Sequence, residues 1–323
     1  IWLFPIHRAW MLSSQGFVAL SREDINGFAQ RLEQAHQLAP WEPYYTSQLG
    51  WNLGNLSLQT RDPKQQQVLV KDGATWLQRS TTIAPQQEFA HTNLGWLLSN
   101  RDPQAATRSF AQAARLLPAK RGVFYGLGLT QLAQKQTDRA LTAMTLEAVR
   151  DLPLITSPIW KLPDLQPLYP ALLQQMEKQY STLLNTATSP DLIYQLRQSR
   201  AGLRWWVGDL AGARADLATD GAPEAKLVLD LAEGKSVQAE LATIPPSGAT
   251  LAITAWLNPA RRQELLQQAW ITATKTAPEP ETLRQLVETM SRSSSFDQWL
   301  KQNAPSRTYR RERAGFGVLS RHA

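Results

Sequence analysis

Apolar and polar positions along the first half of the chain alternate with the beat of helices. Four amphipathic stretches carry a first residue that is small in three of them, a bulky one four places on, and a small one three or four places after that. They are Phe28, Leu32, Ala35; Gly73, Leu77, Ser80; Ala106, Phe110, Ala113; and Ala140, Met144, Ala148. Steps of four and then about three mark one face of a helix. Each stretch follows a glycine set in another helical pattern, Gly16, Gly50, Gly95 and Gly128, spaced by 34, 45 and 33 residues. Three of these glycines sit in Leu49-Gly50-Trp51, Leu94-Gly95-Trp96 and Leu127-Gly128-Leu129. Prolines close the units at Pro40, Pro85, Pro118 and Pro153, since proline cannot extend the hydrogen-bond ladder.

This pattern resembles the tetratricopeptide repeat (TPR), a unit of about 34 residues built from two helices and a turn. The resemblance implies an all-α, right-handed solenoid of antiparallel helix pairs. The glycine then stands where the pair crosses, and Leu32, Leu77, Phe110 and Met144 fill the gap to the next unit. Units are expected at 9–42, 43–87, 88–120 and 121–154, so that 9–154 holds four repeats. The second unit is about eleven residues too long, and the surplus is expected in the turn around Gln59-Thr60-Arg61-Asp62-Pro63.

From 155 to 303 the chain reads as a less regular helical extension. A long amphipathic segment covers 168–185, Ser189-Pro190-Asp191 opens another helix, and Gly208 to Leu217 resembles a TPR turn and second helix. Gly234 with Ala239 and Leu241 fits a shorter, degraded copy. After the Pro245-Pro246-Ser247-Gly248 break, helices are expected near 250–257, 260–274 and 279–291, with a short one near 296–302.

Charge changes this picture only at the end. Residues 1–150 hold 15 basic against 10 acidic side chains, 151–303 hold 14 against 16, and the last twenty hold 5 against 1, within a total of +7. The 304–323 segment is therefore a basic linker tail, with Arg307, Arg310, Arg311 and Arg313 at its centre. It is better suited to solvent or to anionic headgroups than to nucleic acid, for which the repeats offer no basic face. Residues 1–8 begin Ile1-Trp2-Leu3-Phe4-Pro5-Ile6 and are read as a linker or membrane-proximal edge.

Catalytic chemistry finds little support. The chain has no Cys, which removes thiol nucleophiles and Cys-ligated zinc, and its four His residues have no metal-ligand spacing. Gly126-Leu127-Gly128 lacks the strand and third glycine of a dinucleotide loop, and Gly234-Lys235-Ser236 lacks the upstream glycine of a phosphate loop. No cofactor or metal is expected.

Twelve Trp in 323 residues are more telling. Trp76, Trp160, Trp256 and Trp270 are expected to pack between helices. In the TPR pattern the residue after the helix-A glycine faces the inner, concave groove, which singles out Trp51 and Trp96. Tyr44, Ser47, Phe89, Thr92, Asn93 and Tyr125 lie on or near the same face. Such a groove suits an extended peptide, or a glycan stacked on indoles. Trp205 and Trp206 form a second contact candidate. The TPR clamp for chaperone C-termini is disfavoured, because of its usual Lys, Arg and Asn set only Asn93 is present.

The stretch Leu38-Ala39-Pro40-Trp41-Glu42-Pro43-Tyr44-Tyr45, with Gln48-Leu49-Gly50-Trp51, is similar to the TPR-bearing soluble region of cyanobacterial O-antigen ligase or polymerase-like membrane proteins. That resemblance implies a non-enzymatic interaction domain near a membrane, periplasmic or otherwise extracytoplasmic with a cytoplasmic location as the alternative, and with the catalytic residues elsewhere in the parent. The alternatives are a glycan-active enzyme domain and a self-assembling structural solenoid.

Overall fold

A computed structural model describes residues 3–219 and 221–304. Among the described residues all regular structure is helical, with seventeen α-helices, four short 3₁₀ turns and no strand. None of these helices is long and apolar enough to cross a membrane. The chain divides into two compact units, the first running to Asp151 and the second beginning at Leu152.

The first unit is a solenoid of four helix pairs. They are α1 (Leu3–Ser21) with α2 (Ile25–Leu38), α3 (Pro43–Gln59) with α4 (Pro63–Ile83), α5 (Glu88–Leu98) with α6 (Pro103–Leu116), and α7 (Val123–Ala133) with α8 (Thr137–Arg150). Each second helix touches the first helix of the next pair, and α3, α5 and α7 also touch in series. Helix α1 takes in most of the segment read as an edge, because Pro5 is tolerated in a first turn.

Capping explains the helix ends. Asp24, Asp62 and Asp102 accept backbone N–H bonds at the starts of α2, α4 and α6, at 2.8, 3.0 and 2.9 Å. Pro63 and Pro103 occupy the first turns that follow. At the other ends, Ala39, Ala84 and Leu117 each precede a proline and have left the helical region, with φ of −139°, −132° and −142°.

The pairs run antiparallel. Along α3, Ser47, Gly50 and Ser57 meet Ser80, Leu77 and Gln66 of α4 in reverse order. At the crossing a Cβ on Gly50 would lie 2.5 Å from Leu77 Cγ and 2.8 Å from the Gly73 carbonyl oxygen. Gly16 faces Leu32, Gly95 faces Phe110 and Gly128 faces Met144 in the same way. The bulky residues thus seat on the glycine of their own pair and also reach the next one, where Leu32 packs with Leu49 and Leu53 of α3 and Leu77 with Leu94 and Leu97 of α5. Phe110 does the same, since its ring also meets Gly126 of the next pair.

The long second helix pair differs from expectation too. Its turn is only Thr60-Arg61-Asp62, and the surplus has gone into the helices. Helix α3 has 17 residues and α4 has 21, against 11 and 14 for α5 and α6. No proline interrupts 44–62 or 64–84, so both helices continue until Asp62-Pro63 or Pro85 stops them.

The second unit opens with 3₁₀ turns at Leu152–Thr156, Pro158–Lys161 and Gln166–Leu168. It continues through α9 (Tyr169–Thr186), α10 (Pro190–Val207), α11 (Leu210–Asp216), α12 (Pro223–Ala232), α13 (Gln238–Leu241), α14 (Gly248–Leu257), α15 (Arg262–Thr274), α16 (Pro280–Arg292) and α17 (Phe296–Gln302). Its main core gathers Leu227, Val237, Ile253, Leu266, Met290 and Phe296. A smaller one joins Ala201, Ala213, Leu217 and Leu229. Between α9, α10 and α11, Asp216 accepts from Arg200 Nε at 2.9 Å and Arg204 Nη1 at 3.1 Å, while Glu177 accepts from Arg204 Nε at 3.1 Å.

Candidate interaction surfaces

The eight residues expected to line a groove in the first unit divide into two groups. Tyr44 is 46 % exposed, and Trp51 and Phe89 are half-buried. Ser47, Thr92, Asn93, Trp96 and Tyr125 are buried, so the expectation of an open groove fails for them. Their partners give the reason. Trp96, only 5 % exposed, stands edge-on to Phe110 with ring centroids 5.0 Å apart and leans on Tyr125 at 6.2 Å. Because α3, α5 and α7 lie in contact, a large side chain just after the crossing glycine is shared between neighbouring helices. Ser47 donates to the Pro43 carbonyl at 2.6 Å and pairs with Ser80 at 2.8 Å, inside the α3–α4 contact. Thr92 donates to Glu88, and Asn93 donates to the Phe89 carbonyl at 2.8 Å. The indole N–H groups of Trp51 and Trp96 are buried without a hydrogen-bond partner among the described residues.

What remains accessible lies at the starts of α3 and α5. Tyr44 and Phe89 are each the second residue of their helix. Trp41, 55 % exposed, precedes α3, where Glu42 accepts the Tyr44 N–H at 3.0 Å. Tyr44 meets Tyr45 edge-on at 5.8 Å. Lys120 sits 5.8 Å above the Phe89 ring and pairs with Glu88 at 2.9 Å, so this rim is aromatic and locally charge-balanced.

A second aromatic cluster joins α2 and α4. Arg79 lies 4.6 Å above the Trp76 ring, and His36 meets that ring edge-on at 5.8 Å. Burial holds the His36 imidazole below its ordinary pKa, with Arg79 adding to the effect and Glu33 opposing it. The equivalent faces of α2 and α4 contained this signal, since His36 follows Leu32 by four and Trp76 adjoins Leu77.

In the second unit the two adjacent indoles take different roles. Trp206 donates to Tyr169 Oη at 2.8 Å, and that hydroxyl donates to the Ile155 carbonyl at 2.9 Å. Burial pushes the Tyr169 hydroxyl up in pKa, and the Trp206 bond only partly offsets it. Trp206 is therefore a brace. Trp205 instead walls a cavity of about 330 Å³ between α10, α12 and α17. Arg307, Arg310, Arg311 and Arg313 lie outside the described residues. Among the described residues no group of His, Asp and Glu is arranged to hold a metal ion.

Neither a protein-family model nor a curated protein matches the chain. Among solved structures it is similar to a tetratricopeptide repeat protein from Parabacteroides merdae, at 14 % identity and a TM-score of 0.39, with 88 % of this chain and 99 % of that chain covered. The TPR-type architecture stands on the glycine crossings and the serial helix contacts of the first unit, not on that likeness.

Proposed function

We propose that the first unit is a non-enzymatic scaffold that binds a protein partner through an extended peptide segment. The observation that carries this is the aromatic rim at the starts of α3 and α5, where Trp41 and Tyr44 are exposed and Phe89 is half-buried. Aromatic side chains provide large contact area with little entropy to lose on binding. Glu88 and Lys120 balance each other beside Phe89, while the Glu42 carboxylate is engaged by the Tyr44 N–H, so the segment recognised presents chiefly apolar side chains.

Selection of a displayed peptide library on the whole chain, followed by calorimetry on the enriched peptides, tests this. Trp41→Ala with Tyr44→Ala is expected to weaken binding about tenfold or more, as for central aromatic contacts, with helical circular dichroism unchanged. Failure to enrich any peptide, or equal affinity in the double variant, overturns it. Glycan-array binding lost in the same variant assigns the rim to a sugar instead.

A second reading concerns location. Helix α1 exposes Phe4 (71 %), Trp10 (64 %), Met11 and Val18, with Phe4, Met11 and Val18 recurring every seven residues. The helix carries Arg8 and no acidic residue. An apolar face with Trp and a basic neighbour suits a membrane interface, and we propose that this unit works beside one. The 38–51 motif supports a parent of the O-antigen ligase or polymerase type. Co-sedimentation with phosphatidylglycerol vesicles should fall in a Phe4→Ser, Trp10→Ser variant, and equal sedimentation would refute the placement.

A further inference from the structure

We propose that the cavity beside Trp205 in the second unit is a binding site for a neutral, largely apolar small molecule carrying one hydrogen-bond acceptor. Its volume of about 330 Å³ falls in the range of small-molecule sites. Ala201 and Ala225 make the room, Leu229 and Leu300 supply apolar walls, and Trp205 forms a flat one.

The indole wall is held in place before any ligand arrives. Lys301 Nζ lies 5.1 Å from its ring and is itself fixed by Asp297 at 3.2 Å. Among the described residues no charged side chain lines the cavity. A charged ligand would lose hydration there with nothing to replace it, which selects a neutral one.

The Gln198 amide gives the site its chemistry. The half-buried Gln198 amide lines the cavity and makes no side-chain hydrogen bond among the described residues. Its N–H₂ is the donor for a ketone, amide or ester oxygen. The Trp205 N–H is shut away from solvent, so Trp205 contributes ring surface to the cavity and not a donor. The site is independent of the aromatic rim in the first unit, so either reading can fail without the other.

The test uses the whole chain and the neutral fluorescent ketone 6-propionyl-2-dimethylaminonaphthalene. The expected result is saturable, blue-shifted emission from one site, competed by 2-acetylnaphthalene and about tenfold less well by naphthalene-2-carboxylate. Ala225→Trp fills the cavity and is expected to weaken binding at least about tenfold. Gln198→Leu is expected to weaken the ketones about fivefold while leaving naphthalene unchanged. Absence of saturable binding, equal binding by Ala225→Trp, or preference for the carboxylate would overturn the proposal.

Should Ala225→Trp lose its helical signal, the wild-type chain still decides. The Trp205 indole N–H resonance, assigned by its loss in Trp205→Phe, must shift as the ketone is added. A resonance that stays put rejects the site.

Discussion

One methyl group sets how closely α3 and α4 can lie. Gly50→Ala gains about 1 kcal/mol of helix propensity, but its Cβ would sit 2.8 Å from two backbone atoms that cannot swing aside. Overpacking of that kind costs about 1–3 kcal/mol, so we expect net destabilisation in urea unfolding. Gly95→Ala has Phe110 ring atoms as its nearest contacts, at 3.0 Å, and should cost less. Trp96 gives a sharper contrast. Trp96→Ala is expected to cost about 3–5 kcal/mol as a core truncation. Trp96→Phe should cost far less, because the N–H it removes has no partner among the described residues. At His36 the direction of the pKa change sets a pH dependence. The folded imidazole titrates below the unfolded one, so the unfolded chain binds more protons as pH falls below about 6.5. Stability should therefore decline with acidification just below that pH until the folded imidazole is itself protonated. His36→Gln should flatten this part of the profile, and an unchanged slope would show that other groups cause it. The crossing glycines were legible in the sequence because spacing alone locates them. The burial of Trp96 was not, since the position after the glycine has the same pattern whether it faces solvent or a neighbouring helix.

Helix boundaries were the most readable level, because prolines and capping aspartates act locally. Ser189-Pro190 and Gly208-Asp209 start and separate α10 and α11 where the sequence reading put them, with Gly208 at φ +91°. Asp102 illustrates what such a residue contributes. It accepts the Ala105 N–H, and Asp102→Ala is expected to lower stability by about 1 kcal/mol while Asp102→Asn retains most of it. Chemical denaturation of the pair checks this, and equal losses would mean that charge rather than the hydrogen bond matters. The segment 152–168 was illegible for a physical reason. Pro153, Pro158, Pro163 and Pro167 recur too often for any 3.6-residue period to develop, and the chain settles into 3₁₀ turns that leave no amphipathic trace. Length was misplaced in the second pair because the turn signal Asp62-Pro63 shows where a turn falls, not how long its flanking helices run.

At the scale of the whole chain, the sequence suggested regular repeats followed by looser helices, and the structure puts separate cores into the two parts. Phe110 is fully buried between glycines of the first unit, and Ile253 is fully buried in the main core of the second. Each truncation to Ala removes about 2–5 kcal/mol from the core that contains it. If the cores unfold as separate cooperative units, calorimetry of the full chain should resolve two transitions. Phe110→Ala should then lower only one of them and Ile253→Ala only the other, since distant sites with no shared partners act independently. A single transition moved equally by both substitutions would show that the units unfold together. Such coupling would also reach function, because a ligand in the Trp205 cavity would then raise the melting of the stack that carries the aromatic rim. With independent units it should raise the second transition alone, by an amount that grows logarithmically with ligand concentration.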